Sequence, residues 1–302
     1  MHIKPLLSCW HKTLHQIHRI PCLISYILGG MLGFLVALLR RELRQRAELN
    51  VAQSGCLGIS DSVTAYKISV YRILFNAGVF TFDTLLLWFL PWKWCKNWVT
   101  DIQGWQSVQA ARQASPQKGI LFLTPHLGCF EMTAAWVGHQ QPLTSMYRAP
   151  RQRWLDTLMK KGRQRGRNTL VPANLKGVRA LLKTLKQGGD VGLLPDQVPR
   201  QGEGIWASFF KRPAYTATLA ARLLQVTRAH CVMVIAERLP GNKGIRLHFE
   251  LLAEMPIESS LEHAVQEINY QVEAAIRRFP EQYLWGYNRY KIPAGVHLSD
   301  SN

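Results

Sequence analysis

A histidine and a glutamate five residues apart are the side chains of this 302-residue sequence best suited to acid–base chemistry. His126 ends the apolar run GILFLTPH, and Glu131 follows it in an HxxxxE pattern. Five residues of helix amount to about 500° of rotation, which leaves the two side chains within ~140° of each other. A carboxylate that fixes the tautomer of an imidazole suits it to act as a general base. The spacing therefore predicts a catalytic pair, with His126 as the base and Glu131 as its partner.

Gly128 and Cys129 lie between these two residues. A glycine leaves the backbone open to close approach, so Gly128 is a candidate substrate-binding residue. The N-terminus of the helix that follows would stabilise a developing oxyanion. Cys129 suggests a covalent route, although nothing in the sequence looks like a nucleophile elbow of the GxSxG type. Taken alone the HxxxxE pattern is weak, because this spacing occurs by chance in many proteins.

From about residue 105 the chain alternates between short β-rich runs and helical patterns. Such alternation is typical of an α/β fold with a largely parallel sheet flanked by helices. The predicted strands are 120–124, 143–147, 169–171, 191–194, 231–236 and 246–251. The predicted helices are 128–138, 151–163, 175–187, 213–226 and 261–279, with Pro213 in the first turn of its helix.

The N-terminal part contains a long uncharged segment, residues 21–39, which is just long enough to cross a bilayer core as a helix. Because both of its flanks are basic, the positive-inside rule gives no orientation. The segment spans the membrane, lies in one leaflet, or is a buried core helix. A second apolar stretch, 79–94, is rich in leucine and tryptophan and suits either a membrane interface or the lining of a groove. We expect residues 1–104 to form a membrane-anchoring helical region packed on an α/β core of residues 105–302. The basic residues beside the first segment are Lys4, Lys12, Arg19, Arg40, Arg41, Arg44 and Arg46.

The amino-acid composition excludes a disordered protein and indicates the charge of the binding partner. A hydrophobic content of 47% excludes intrinsic disorder. The formal net charge of +18 implies an anionic partner, which would be nucleic acid, anionic lipid or an acidic protein. Residues 148–186 hold twelve of the basic residues and a single acid, Asp156. Six scattered cysteines without a CxxC or zinc spacing favour reduced thiols in a cytosol-facing protein.

Five short blocks in a fixed order carry a family resemblance. The blocks are PHLGCFE at 125–131, YR at 147–148, GGDVGLLPDQ at 188–197, FFKRP at 209–213, and PEQYLW at 280–285 followed by RYK at 289–291. In this order they resemble the late acyltransferases of lipid A biosynthesis, the lauroyl/myristoyl transferase family within the wider lysophospholipid acyltransferase group. The resemblance runs from the N-terminal apolar segment to about Pro293. It departs where Cys129 and Phe130 replace the family's frequent Asn-Trp, which bears on acyl-chain length and acceptor binding.

The resemblance implies a membrane-associated O-acyltransferase that needs no cofactor. The donor would be an acyl thioester on acyl carrier protein. The acceptor would be the hydroxyl of a 3-hydroxyacyl chain on an anionic, Kdo-bearing lipid A precursor. His126 would take the hydroxyl proton while Glu131 orients the ring, with no acyl-enzyme. The catalytic domain would then lie on the cytoplasmic side of a bacterial inner membrane.

The family blocks also mark candidate substrate-binding residues, which are Tyr147, Arg148, Asp196 and Gln197. Arg148 is expected to bind a substrate phosphate, since guanidinium groups pair with phosphate through two hydrogen bonds. Asp196 falls at the expected carboxyl edge of the sheet, where α/β proteins bind ligands. We expect it either to hold Arg148 through an ion pair or to be an ordinary turn residue.

Two alternative functions remain at this point. The first keeps the chemistry and changes the acceptor, which makes the chain a glycerolipid or lysophospholipid acyltransferase. The LLPDQ and PEQYLW blocks favour the lipid A branch over it. The second is a membrane-tethered nucleic-acid-binding protein that uses the basic stretch. No zinc knuckle, RNP aromatic motif or GxxG loop supports the second alternative.

Overall fold

A seven-stranded sheet forms the centre of the computed structural model, which describes residues 20–57, 63–150, 152–254 and 259–297. The strand order is β1-β9-β8-β2-β5-β3-β4. The five strands from β8 to β4 are parallel, whereas β9 pairs antiparallel to β8 and carries β1 at the edge. This arrangement confirms the predicted fold class. The strands are β1 Val99–Gln103, β2 Ile120–Leu123, β3 Leu143–Tyr147, β4 Asn168–Pro172, β5 Asp190–Leu193, β6 Gly204–Phe209, β7 Arg212–Ala217, β8 His230–Arg238 and β9 Ile245–Leu251.

Helices cover both faces of this sheet. Successive residues of a strand point to opposite faces, so Leu121 of β2 packs in one apolar core and Phe122 packs in the other. Burial on both faces is also why β2 is a continuous apolar run instead of an alternating one. The helices are α1 Ile20–Leu39, α2 Arg41–Ser54, α3 Val63–Phe89, α4 Trp92–Cys95, α5 Trp105–Ala114, α6 Glu131–Gln140, α7 Arg153–Arg163, α8 Leu175–Lys186, α9 Leu219–Thr227 and α10 Leu261–Arg278.

The helix predicted to begin at Pro213 is wrong in its first half. Residues 212–217 instead form β7, which pairs antiparallel with β6 in a separate two-stranded hairpin. The turn between them consists of Phe210 and Lys211, both with positive φ, as a two-residue hairpin turn requires. Thr216 is buried and lies within hydrogen-bonding distance of Asn269, which ties the hairpin to α10. The helix itself begins only at Leu219.

The uncharged N-terminal segment forms α1, which packs closely along α3. A Cβ atom on Gly33 would lie 2.2 Å from the carbonyl oxygen of Leu74, and one on Gly78 would lie 2.1 Å from that of Gly29. Small residues thus allow the two helix backbones to touch, as in membrane helix pairs. By length and composition both α1 and the 66–89 part of α3 are candidate membrane spans. Lys4, Lys12 and Arg19, the basic residues expected before α1, lie outside the described residues.

Contacts from α3 place this helical pair at the carboxyl edge of the parallel strands. Asp83 of α3 pairs with Arg238, the last residue of β8, and also accepts a hydrogen bond from Ser25 of α1. Further along α3, the Asn76 side chain donates to the carbonyl oxygen of Glu281 (3.0 Å). Strand β1, which falls within residues 1–104, joins the central sheet. The apolar helices are therefore attached to the edge at which strand β8 ends.

Candidate active site

His126 and Asp196 meet at the carboxyl edge because they occupy equivalent positions on neighbouring strands. Leu123 ends β2 and pairs with Leu193, which ends β5. Each strand is followed by two residues, the second of them a proline, and then by the polar residue. Asp196 accepts from the backbone N–H of His126 (2.9 Å), and its other oxygen lies 2.7 Å from the ring Nδ1. The carboxylate thus fixes both the backbone and the ring of the histidine.

The surroundings of the imidazole leave Nε2 as its basic nitrogen. Because Nδ1 donates its proton in a hydrogen bond to the Asp196 carboxylate, the lone pair is on Nε2, where the Gln197 side-chain amide donates a hydrogen bond (2.9 Å). Burial of Asp196 opposes its ionisation, but the His126 imidazole and the hydrogen bonds hold its pKa below the ordinary value. Phe130 packs edge-on against the imidazole at 4.6 Å between ring centroids. The geometry is that of a base oriented by a buried carboxylate.

Glu131 contacts an arginine instead of the histidine. Both of its oxygens accept hydrogen bonds from Nε of Arg163 (3.0 Å each). Nη2 of the same guanidinium donates a further hydrogen bond to Oε1. The predicted contact requires a helix that starts at Gly128, but α6 begins at Glu131, and Gly128 has a φ of +62°. The intervening turn therefore directs the glutamate away from the ring. The structure does not bring His126 and Glu131 together as predicted.

Position 128 requires a glycine because the backbone there lies close to two other segments of the chain. Its N–H donates to the carbonyl oxygen of Gln282 (3.0 Å), and a Cβ atom there would lie 2.0 Å from the carbonyl oxygen of Ala236. The neighbouring Cys129 is buried, and burial followed by the nearby Asp83 raises the pKa of its thiol well above the ordinary value. A thiol held in the protonated form is a poor nucleophile, so this environment does not support a covalent route.

The Tyr147–Arg148 block lies at the same edge, on the strand next to β5. Tyr147 ends β3 and is buried, with the Lys160 ammonium 5.6 Å from the centre of its ring. Arg148 is exposed and forms no ion pair among the described residues. The expected ion pair between Arg148 and Asp196 is not formed, because both carboxylate oxygens of Asp196 are directed at His126.

An apolar cavity lies between the sheet and helices α3, α6 and α7, and its lining includes Phe130, the ring that packs against the imidazole. The space between its walls, counting the part open to solvent, amounts to about 760 Å³. The Glu131–Arg163 pair contributes the charged part of its wall. The remaining lining is mostly apolar and includes Trp88, Phe122, Thr124, Phe130, Met146 and Leu193. The arrangement combines an oriented histidine with a mostly apolar cavity that shares Phe130 with it.

Sequence reasoning missed two contacts of this site, the one between Asp196 and His126 and the one between Arg163 and Glu131. The first contact could be predicted from the sequence, because LTPH at 123–126 and LLPD at 193–196 both contain the end of a strand, a proline and a polar residue. Equal offsets past two paired parallel strands place side chains together at one edge. No sequence pattern predicts the contact between Arg163 and Glu131, because it depends on how α7 packs against α6.

Known proteins match the chain over nearly its whole length. It fits the family described as "Bacterial lipid A biosynthesis acyltransferase" over residues 12–292. The lipid A biosynthesis lauroyltransferase of Escherichia coli (strain K12) is 26% identical over 94% of this chain and 91% of its own length. The palmitoleoyltransferase of the same organism is 26% identical over 73% and 71%, respectively, and its myristoyltransferase is 27% identical over 61% and 57%. The family predicted from the five sequence blocks is confirmed, and the chain belongs to the bacterial lipid A biosynthesis acyltransferases.

Proposed function

We propose that this protein transfers a fatty acyl chain from acyl carrier protein to a hydroxyl of a 3-hydroxyacyl chain on a Kdo-bearing lipid A precursor. The observation that carries the proposal is an oriented histidine base, His126 on Asp196, beside an apolar cavity. Family membership supports an acyl transfer to lipid A at a membrane. The apolar helices at the same edge of the sheet would present the base to a lipid substrate.

The chemistry follows from the free lone pair on Nε2 of His126. The acceptor hydroxyl would replace Gln197 at this nitrogen and give up its proton as its oxygen attacks the thioester carbonyl. The resulting tetrahedral oxyanion collapses by breaking the C–S bond, and the sulfur leaves with the proton that Nε2 carried. Asp196 stabilises the imidazolium between these steps. The buried Cys129 takes no part, which is consistent with direct transfer and no acyl-enzyme.

Arg148 and the basic surface around it would hold the anionic acceptor. Arg148 is exposed at the carboxyl edge, one strand away from Asp196, where its guanidinium is free to pair with a phosphate. Tyr147 and Gln197 lie at the same edge, at the ends of neighbouring strands, and are candidates for binding the same substrate. A donor made in the cytosol and an acceptor anchored in a bilayer would put this edge on the cytoplasmic side of a bacterial inner membrane.

The apolar cavity would take the acyl chain and limit its length, and Ala134 tests this. Ala134 lines the cavity from α6, so Ala134→Leu shortens the available space. We expect kcat/KM for the longest accepted donor to fall about tenfold or more relative to a donor two to four carbons shorter. Competition between acyl donors of different length measures this ratio. Ala110→Leu, at an exposed position of α5, is the matched control, and an equal shift there would contradict the cavity assignment.

Mass spectrometry of lipid A tests the proposed function as a whole. Cells that lack the gene should lose the mass of one acyl chain, whose value gives the chain length. The gene restores this mass, whereas His126→Ala should not, although the variant protein accumulates to the same level. Unchanged lipid A with altered phospholipids would assign the enzyme to glycerolipid acylation instead. Restoration by the His126→Ala variant would remove the histidine from the chemistry.

A further inference from the structure

One face of α8 carries a line of unpaired positive charge. Lys176, Arg179, Lys183 and Lys186 recur at spacings of three and four residues, so they lie on one side of the helix. All four are exposed, while Gly177, Leu181 and Leu185 form the buried side. We refer to these four cations as the α8 stripe.

The α8 stripe lacks the acidic partners that two cations of α7 have. On α7, Lys160 pairs with Asp156 and Arg163 pairs with Glu131. By contrast, no member of the stripe forms an ion pair within the described residues, and the sequence contains no acid between Asp156 and Asp190. At the start of the stripe Leu175 is 75% exposed. The face therefore combines four free cations with one apolar contact.

The direction of α8 separates most of the stripe from the membrane-facing edge. The helix connects the end of β4 to the start of β5, so its first turn lies at the carboxyl edge, the edge that also holds His126, and its last turn lies at the opposite edge. Lys186 lies about 15 Å from Lys176 along the helix axis, in the direction of the opposite edge. The apolar helices attach at the carboxyl edge, near the end of β8. A bilayer at that edge would reach the first turn of the stripe but not Lys183 or Lys186.

We propose that the α8 stripe is the docking surface for the small acidic carrier protein that presents the acyl thioester. A helix with carboxylates at spacings of three and four residues is complementary to it, and its approach would bring the thioester to the edge where His126 lies. Leu175 would provide an apolar contact at the active-site end. This inference rests on the proposed donor and adds the surface at which that donor binds.

A charge reversal at the far end of the stripe tests the inference. Lys183→Glu/Lys186→Glu should raise KM for acyl carrier protein about tenfold or more with little change in kcat, and the effect should shrink as salt is added. The same variant should use a small donor, the acyl thioester of N-acetylcysteamine, at the unmodified rate, which shows that it is folded. Lys96→Glu/Lys243→Glu, exposed positions at the other end of the sheet, makes the same change in net charge and should leave KM unchanged.

Each of the other outcomes identifies which part of the inference is wrong. If the unmodified enzyme does not accept acyl carrier protein but transfers from the small thioester, the proposed donor is wrong. If it accepts the carrier protein and the stripe variant keeps its KM, the docking surface lies elsewhere. If the variant keeps its KM but no longer sediments with vesicles that contain phosphatidylglycerol, the stripe binds the membrane and the inference is overturned.

Discussion

Asp196→Asn is expected to lower kcat by about 10²–10⁴-fold while the protein stays folded. The asparagine has nearly the same shape, but its side chain carries no negative charge. It can present its NH₂ to Nδ1, which would then hold the lone pair and leave the proton on Nε2, the wrong nitrogen for a base. It would also fail to stabilise the imidazolium formed during transfer. Steady-state kinetics with acyl carrier protein and the lipid acceptor measure the loss.

Glu131→Gln is the informative comparison, because Glu131 is the carboxylate that the HxxxxE spacing assigned to the histidine. In the structure it pairs with Arg163, so its removal should act through α7 and the cavity wall. We expect a smaller loss in kcat than for Asp196→Asn, with a lower Tm because Arg163 loses its partner. If Glu131→Gln instead matched His126→Ala in kcat at an unchanged Tm, and Asp196→Asn remained active, then Glu131 would be the working partner.

The strands of the central sheet were predictable because both of their faces are buried. Such strands are mostly apolar runs, and β2, β5 and β8 were located to within a few residues. The edge strand β1, with the sequence VTDIQ, is mostly exposed and polar, so it lacked this signal. The turn of the β6–β7 hairpin is Phe210-Lys211, without the glycine or asparagine that usually marks positive φ. Tertiary packing selects this turn, since Phe210 is buried and its N–H donates to Glu273.

The site was predictable in its residues but not in all of its pairings. His126, Asp196 and Gln197 do converge at one edge, because β2 and β5 are paired in register. The partner of His126 was assigned to the glutamate nearest in sequence, on the assumption of an uninterrupted helix. Gly128 interrupts that helix with a left-handed residue that is required by contact with Ala236. A pairing that depends on one such turn cannot be read from spacing alone.

The largest expected effect on stability is at the junction between the apolar helices and the α/β core. The side chains of Asp83 and Arg238 are only 2% and 5% exposed, and Arg238 Nε donates to the carboxylate at 3.0 Å. Asp83→Asn leaves the guanidinium buried without its counter-charge, which costs about 3–5 kcal/mol. For a domain of this size such a loss lowers Tm by roughly 6–15 °C. Thermal unfolding in detergent measures the shift.

Two control variants distinguish the effect of an unpaired buried charge on stability from the effect of removing any charge. Asp101 pairs with Arg246 at the surface, so Asp101→Asn should move Tm very little. Asp83→Leu/Arg238→Met removes both buried charges together and should recover most of the lost stability, because no unpaired ion remains. An Asp83→Asn protein with an unchanged Tm would show that the pair is not what holds α3 to β8. The junction would then depend on the glycine contacts between α1 and α3 and on the bond from Asn76 to Glu281.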